Sequence, residues 1–155
     1  MDEQALSEAI ETLFVARNPR QMQIARAALP AGYYLRAAQR LRDIRGTVLI
    51  GTGFPVAGTF ETDGPVGAIA LYQALQALGA EPMIACARPL AQVLASAYRI
   101  LPLEREPADD GSALAASWLA THAPSAIISI ERPGMAADGR YYNMRGEDIS
   151  AGCGV

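Results

Sequence analysis

The sequence predicts an α/β layered sandwich with a mostly parallel sheet and N-terminal helices, and three observations carry that prediction. Short runs of β-branched and aliphatic residues at 47–50, 83–86 and 126–130 alternate with longer segments of helical periodicity. Each run is continuously apolar rather than alternating, the pattern of strands covered on both faces. Glycine-rich or charged turns follow the first and third runs, where the chain must reverse direction and where α/β sheets place their ligands.

The helices come first in the chain. Ala5, Leu6, Ala9, Ile10, Leu13 and Phe14 recur at helical spacing after an acidic start, and predict a first helix with that stripe as its apolar face. Asn18-Pro19 has the pattern of a second start, a cap followed by proline at the first helical position. A third periodic stretch covers 34–41. From Gly46 the pattern changes to strand, then to a segment at 51–65 too rich in glycine and proline to predict regular structure. Residues 66–78 predict a helix closed by Gly79. A strand at 83–86 and a helix at 89–98 follow, then a polar loop at 104–111 containing Pro107 and Asp109-Asp110. Ser112 is the expected cap of a helix ending near His122, and the last strand runs to Ile130. One domain is expected, with a helical segment at 1–45 and an α/β segment at 46–155.

Composition narrows the function. The chain has 155 residues, 51% hydrophobic and 19% charged, with a formal net charge of −3. No excess of cationic side chains is present to neutralise phosphates, so nucleic acid is not an expected partner. No apolar run approaches the roughly 18 residues of a membrane span, and the start Met1-Asp2-Glu3 lacks the layout of a secretory signal. Cys86 and Cys153 show no Cys-x-x-Cys spacing, which predicts two reduced thiols in a cytoplasmic protein. His122 is the single histidine, so a His-rich zinc site and a Ser-His-Asp nucleophile system are disfavoured. Acid–base chemistry then falls to carboxylates, tyrosines or ordered water.

Two clusters could carry that chemistry. The first is Gly51-Thr52-Gly53-Phe54-Pro55 with Glu61-Thr62-Asp63-Gly64-Pro65-Val66-Gly67. Glycines let backbone N–H groups approach a ligand, and the following helix points its free N-terminal N–H groups at the same space, favouring an anion. It is neither a Walker A loop nor a dinucleotide fingerprint. The plain alternative is that Asp63 caps the helix with Pro65 near its first position. The second cluster is Glu131-Arg132-Pro133-Gly134, then Asp138-Gly139-Arg140-Tyr141-Tyr142-Asn143-Met144-Arg145-Gly146 and Glu147-Asp148-Ile149. Asp138-Gly139 is a turn dipeptide, so the alternative here is a hairpin with Glu131 and Arg132 paired at its base. Against that, an arginine can hold a carboxylate bidentately, and buried Tyr and Asn can orient it.

Thr52-Gly53-Phe54, the Glu61 to Ala68 stretch, Ile130-Glu131-Arg132-Pro133-Gly134 and the Tyr141 to Ile149 stretch, in this order and spacing, resemble the D-glutamate cyclase C-terminal-like family. The resemblance covers almost the whole chain and implies dehydration of D-glutamate to 5-oxo-D-proline. It implies Glu61, Asp63, Glu131 and Asp148 as candidate acid–base groups, with Glu61 and Glu131 favoured. Arg132 or Arg145 would hold the substrate's α-carboxylate, with Thr52, Gly53, Gly64, Tyr142 and Asn143 as further substrate contacts. No cofactor is expected; the four carboxylates could hold a hard divalent cation, though nothing fixes a coordination set. The resemblance also implies a domain that runs on past Val155, so the expectation is one lacking its C-terminal part. The expected partners are a homo-oligomeric copy or a partner chain that supplies the missing C-terminal part, since three strands make a thin sheet with an exposed edge. The competing reading is a non-catalytic module for a small anion, an acidic metabolite or a phosphate, or an inactive fragment of the family.

Overall fold

A computed structural model describes residues 2–17, 20–104 and 111–154. They form two compact units, Met1–Asp43 and Ile44–Val155.

The first unit holds α1 (Glu3–Val15), α2 (Met22–Ala27) and α3 (Tyr33–Arg42). Asp2 caps α1, its carboxylate accepting from Ala5 N at 2.7 Å. The face of α1 that is buried is not the predicted apolar stripe. Ser7, Glu11 and Val15 are buried, while Leu6, Leu13 and Phe14 are 50%, 74% and 65% exposed. Hydrogen bonds explain the choice of face: Ser7 donates to Glu11 at 2.8 Å and accepts from Leu35 N at 3.0 Å, joining α1 to α3. Ser7 and Glu11 Oε1 are paired in this way, while Glu11 Oε2 is buried with no hydrogen-bond partner among the described residues. The Asn18-Pro19 helix start lies outside the described residues.

The second unit contains the sheet. Its strands are β1 (Gly46–Thr52), β4 (Ala80–Cys86), β5 (Ile100–Pro102) and β6 (Ala126–Ile130), in the order β5-β4-β1-β6. Every pairing is parallel, with Thr52 opposite Ile130 and Gly51 opposite Ala85. The fourth strand, β5, was not predicted; three residues leave no period to read, and it exists because Ala85 pairs with Leu101. Within 51–65 a small antiparallel hairpin, β2 (Pro55–Val56) with β3 (Thr59–Phe60), forms where no regular structure was expected. Ala57 and Gly58 both take positive φ at its tip, the conformation a two-residue hairpin turn demands.

The helix α4 (Asp63–Ala77) packs against β4, β1 and β6. It starts three residues earlier than predicted, and Gly79 ends it at φ 90°. Val48, Ile50 and Thr52 share one face of β1, and Val48, Ile50, Ala68, Leu75 and Ile84 are sealed from solvent. The opposite face buries Leu49, Met83, Ala85, Leu101 and Leu103, with Trp118 of α6 (Ser112–His122) against them. Gly111 rather than Ser112 occupies the cap position of α6, and α5 is limited to Leu90–Leu94. The Pro107 and Asp109-Asp110 loop lies outside the described residues. No helix among the described residues is long and apolar enough to cross a membrane.

Leu75, 1% exposed on the face of α4 turned to the sheet, is the test of this packing. Leu75→Ala is expected to lower unfolding stability by about 2–5 kcal/mol, read as a lower urea midpoint at unchanged m-value.

Candidate functional site

The order β5-β4-β1-β6 has a consequence for ligand binding. The chain builds outward from β1 through β4 to β5, then returns to place β6 on the other side of β1. The carboxyl ends of β1 and β6 therefore flank a switch point, the crevice where open α/β sheets bind ligands. Thr52 and Glu131 stand at those two ends.

The contact across the crevice is between Glu131 and the first turn of α4. A Cβ added to Gly64 would overlap Glu131 Cβ, and would lie 3.2 Å from Glu131 Cγ and 3.1 Å from Thr52 Oγ1. Only glycine lets the three approach this closely. Glu131 adopts φ 48°, a left-handed conformation that costs a side-chain-bearing residue about 1–3 kcal/mol. Thr52 is fully buried, and its hydroxyl has no hydrogen-bond partner among the described residues. Leaving such a group unmet costs about 1–3 kcal/mol.

Strand alternation sends the next residue the other way. Arg132 packs its Cδ 3.6 Å from the position of a Gly51 Cβ, and Nη2 donates to the Cys153 carbonyl at 3.0 Å. It lines a cleft of about 460 Å³ on the α6 side of the sheet, with Leu49, Trp118 and Tyr141. Burial lowers the Arg132 pKa, offset in part by Tyr141, Cys153 and Cys86. The Cys86 thiol is pushed up to about 11 by burial, against the pull of Arg132, and burial also raises that of Cys153. Both cysteines are free and buried. Glu131 and Arg132 are thus not paired at a hairpin base; the left-handed turn at Glu131 and the alternation beyond it part them.

The acidic turn is arranged simply. Glu61 N donates to the Phe54 carbonyl at 2.9 Å, closing the β2–β3 hairpin and leaving the Glu61 side chain in solvent. Asp63 is not the cap of α4. Thr62 occupies that position without a side-chain bond, and Asp63, the first helical residue, accepts only from Gly64 N at 3.1 Å. Gly64 and Glu131 meet at the β1–β6 crevice, with Asp63 next to Gly64 in the chain and Glu61 just after the hairpin that precedes it.

The remaining predicted residues form their own loop. Ala136 N donates to the Arg140 carbonyl at 2.8 Å around the Asp138-Gly139 turn, and Tyr142 bridges to Asp148 in an antiparallel pair. The reversal between them is centred on Asn143, whose Oδ1 accepts from Arg145 N and Glu147 N. Tyr142 donates to Asp138 at 2.6 Å, and Arg140 pairs with Asp148 at 3.2 Å. Tyr142 and Asn143 are half-buried rather than buried, and Arg145 is exposed. Their polar groups satisfy the loop itself. Asp148 is held below the usual carboxylate range by hydrogen bonds from Ser150 and by Arg140. Asp138 is likewise lowered by the Tyr142 and Arg140 hydrogen bonds, and the Tyr142 phenol is raised in turn.

Two features of the same sheet edge were not anticipated. Gly152 lies against Pro55, and Gly154 against Leu103 and Ala87, so the segment after the 3₁₀ turn Ser150–Gly152 crosses the carboxyl ends of β4 and β5. Glycines on both sides of Cys153 were the available signal. Arg88, immediately beyond β4, pairs with Glu104 at 2.7 Å, and with Pro55, Thr59 and Ile149 it lines a cleft of about 380 Å³. A cation directly after a strand was the clue there. Among the described residues no cluster of His, Cys, Asp or Glu could hold a metal ion.

The D-glutamate cyclase-like, C-terminal family model matches residues 10–153. The chain belongs to that family. No curated protein matches it. The matched range spans both clusters.

Two outcomes follow from the geometry. Gly64→Ala is expected to destabilise by about 1–3 kcal/mol through the forced overlap. Adding Glu131→Gly, which removes the opposing Cβ and suits φ 48°, should recover most of that loss in a denaturation cycle. For the 138–150 loop, depressed carboxylate pKa values mean stabilisation that is complete above about pH 4 and disappears as pH falls through the lowered native values. The Tyr142 ring resonances should hold to about pH 4 and shift below it, and Asp138→Asn should abolish the step.

Proposed function

We propose that the chain is a D-glutamate cyclase-type lyase that dehydrates D-glutamate to 5-oxo-D-proline in the crevice between the ends of β1 and β6. The observation that carries the reading is the stacking of Glu131 on Gly64. It joins two separate family motifs at the N-terminal end of a 15-residue helix. Family membership supports the same activity.

The chemistry asked of the site is small. The α-ammonium loses one proton and the amine attacks the γ-carboxylate carbon. The N–C bond forms, the nitrogen gives up a second proton, and a C–O bond breaks as its oxygen, having gained two protons, leaves as water. A carboxylate serves as base and a protonated carboxyl as acid. Glu61 and Glu131 are the pair proposed, with Asp63 beside them. The first turn of α4 supplies partial positive charge for a substrate carboxylate. In this reading it takes the part assigned on sequence to Arg132, which is engaged with Cys153, or to Arg145 on the outer loop. Tyr142, Asn143 and Asp148 shape the neighbouring loop. Glu61, Asp63 and Glu131 are exposed, so a second copy or a partner chain completes the enclosure of the reacting groups. The reading needs no cofactor, and the protein is placed in the cytoplasm.

The test is incubation with each glutamate enantiomer, with and without divalent metal, and detection of 5-oxoproline. Conversion of the D-enantiomer is expected. Glu131→Gln and Glu61→Gln should each lower kcat by about 10²-fold or more while cooperative unfolding persists. Calorimetric binding of glutamate without turnover would replace the enzyme by a small-anion binding module.

A further inference from the structure

Beneath Glu131 lies a group that no step above uses. Thr52 Oγ1 is sealed from solvent at the last position of β1, yet has no hydrogen-bond partner among the described residues. A buried hydroxyl without a partner is uncommon, and valine would fill the same volume at that strand position without an unmet polar atom. Its surroundings are specific. Thr52 Oγ1 and Glu131 Cγ stand 3.1 and 3.2 Å from one point, the place a Gly64 side chain would occupy. No Gly64 side chain therefore stands between the Glu131 stem and the threonine hydroxyl, and Glu131 itself takes a left-handed backbone at φ 48°.

We propose that Thr52 and Gly64 are positioning residues for Glu131. Gly64 provides the bare backbone surface on which the stem rests. The Thr52 hydroxyl is the donor that captures the Glu131 carboxylate when the exposed side chain turns inward over the end of α4. A hydroxyl hydrogen rotates freely, so the donor needs no backbone movement to reach its acceptor. A hydrogen bond to an ionised carboxylate is among the stronger neutral–charged pairs. Captured in this way, Glu131 is confined to one arrangement facing the bound substrate, and the carboxylate is presented for reaction without reorganisation. The assignment changes Thr52 from a substrate contact to a residue acting through Glu131. It rests on the cyclase reading only in naming Glu131 as the reacting group.

The experiment uses Thr52→Val, which keeps the shape and removes the donor, and Thr52→Ser, which keeps the donor. On D-glutamate, Thr52→Val is expected to lower kcat about tenfold with KM within about twofold, and Thr52→Ser to retain most of kcat. Independently of turnover, Thr52→Val, Glu131→Ala and the double variant form a denaturation cycle, with alanine because a glutamine carbonyl would still accept from Thr52. Its expected coupling is a non-additive change of about threefold or more in the unfolding equilibrium constant. If the wild type makes no 5-oxoproline, the cyclase reading falls and the cycle alone decides the positioning role. Additivity in the cycle, or a Thr52→Val variant with unaltered kcat, overturns it. So does a fall in kcat that Thr52→Ser fails to prevent.

Discussion

The parallel pairing of β1 with β6 is the constraint on which the rest of the site depends. Thr52 opposite Ile130 brings the last residue of one strand level with the last residue of another that lies far along the chain. The chain has by then laid β4 and β5 on the far side of β1, and β6 joins the sheet at the free flank of β1. Glu131 consequently emerges beside the first turn of α4, whose Gly64 has no Cβ to keep it away. Were the register shifted by one residue, the alternation of side chains would turn Glu131 to the opposite face and Arg132 to the helix.

That same alternation divides the labour of neighbouring residues. Glu131 joins α4, Thr52 and the acidic turn, whereas Arg132 runs under the sheet edge to Gly51 and the Cys153 carbonyl. The first arrangement leaves carboxylates in solvent above a helix N-terminus. The second buries a cation between Tyr141 and two thiols and ties down the segment after Ile149. Exposed carboxylates and a buried cation thus occupy opposite faces of one edge, and the outer loop at 138–150 uses its polar groups to hold its own shape.

Much of the fold could be read directly. The runs at 47–50, 83–86 and 126–130 became β1, β4 and β6; β1 and β4 are covered on both faces as such sequence suits, whereas β6 lies at the sheet edge and leaves Ile127 64% exposed, a correction to the pattern expected of it. The helix after the acidic turn and its glycine stop were likewise local signals. What escaped reading was everything short or mutually dependent. β5 is a strand through its partner β4, the β2–β3 turn depends on two residues at positive φ, and α1 buries Ser7 and Glu11 where Ser7 bonds both Glu11 and Leu35 of α3. Periodicity measures one segment at a time and carries no record of such partners.

For the site, the residue types alone marked two clusters at strand ends as candidates for anion binding and carboxylate chemistry. Local sequence was enough, since glycines, a helix start and acidic side chains act at short range. Tertiary structure alone decided which members of those clusters meet. Glu131 reaches Gly64 and Thr52, while Arg132, Tyr142, Asn143, Arg145 and Asp148 are drawn elsewhere. Sheet order, register and the face on which each side chain stands are properties of strand pairs, and no single segment encodes them.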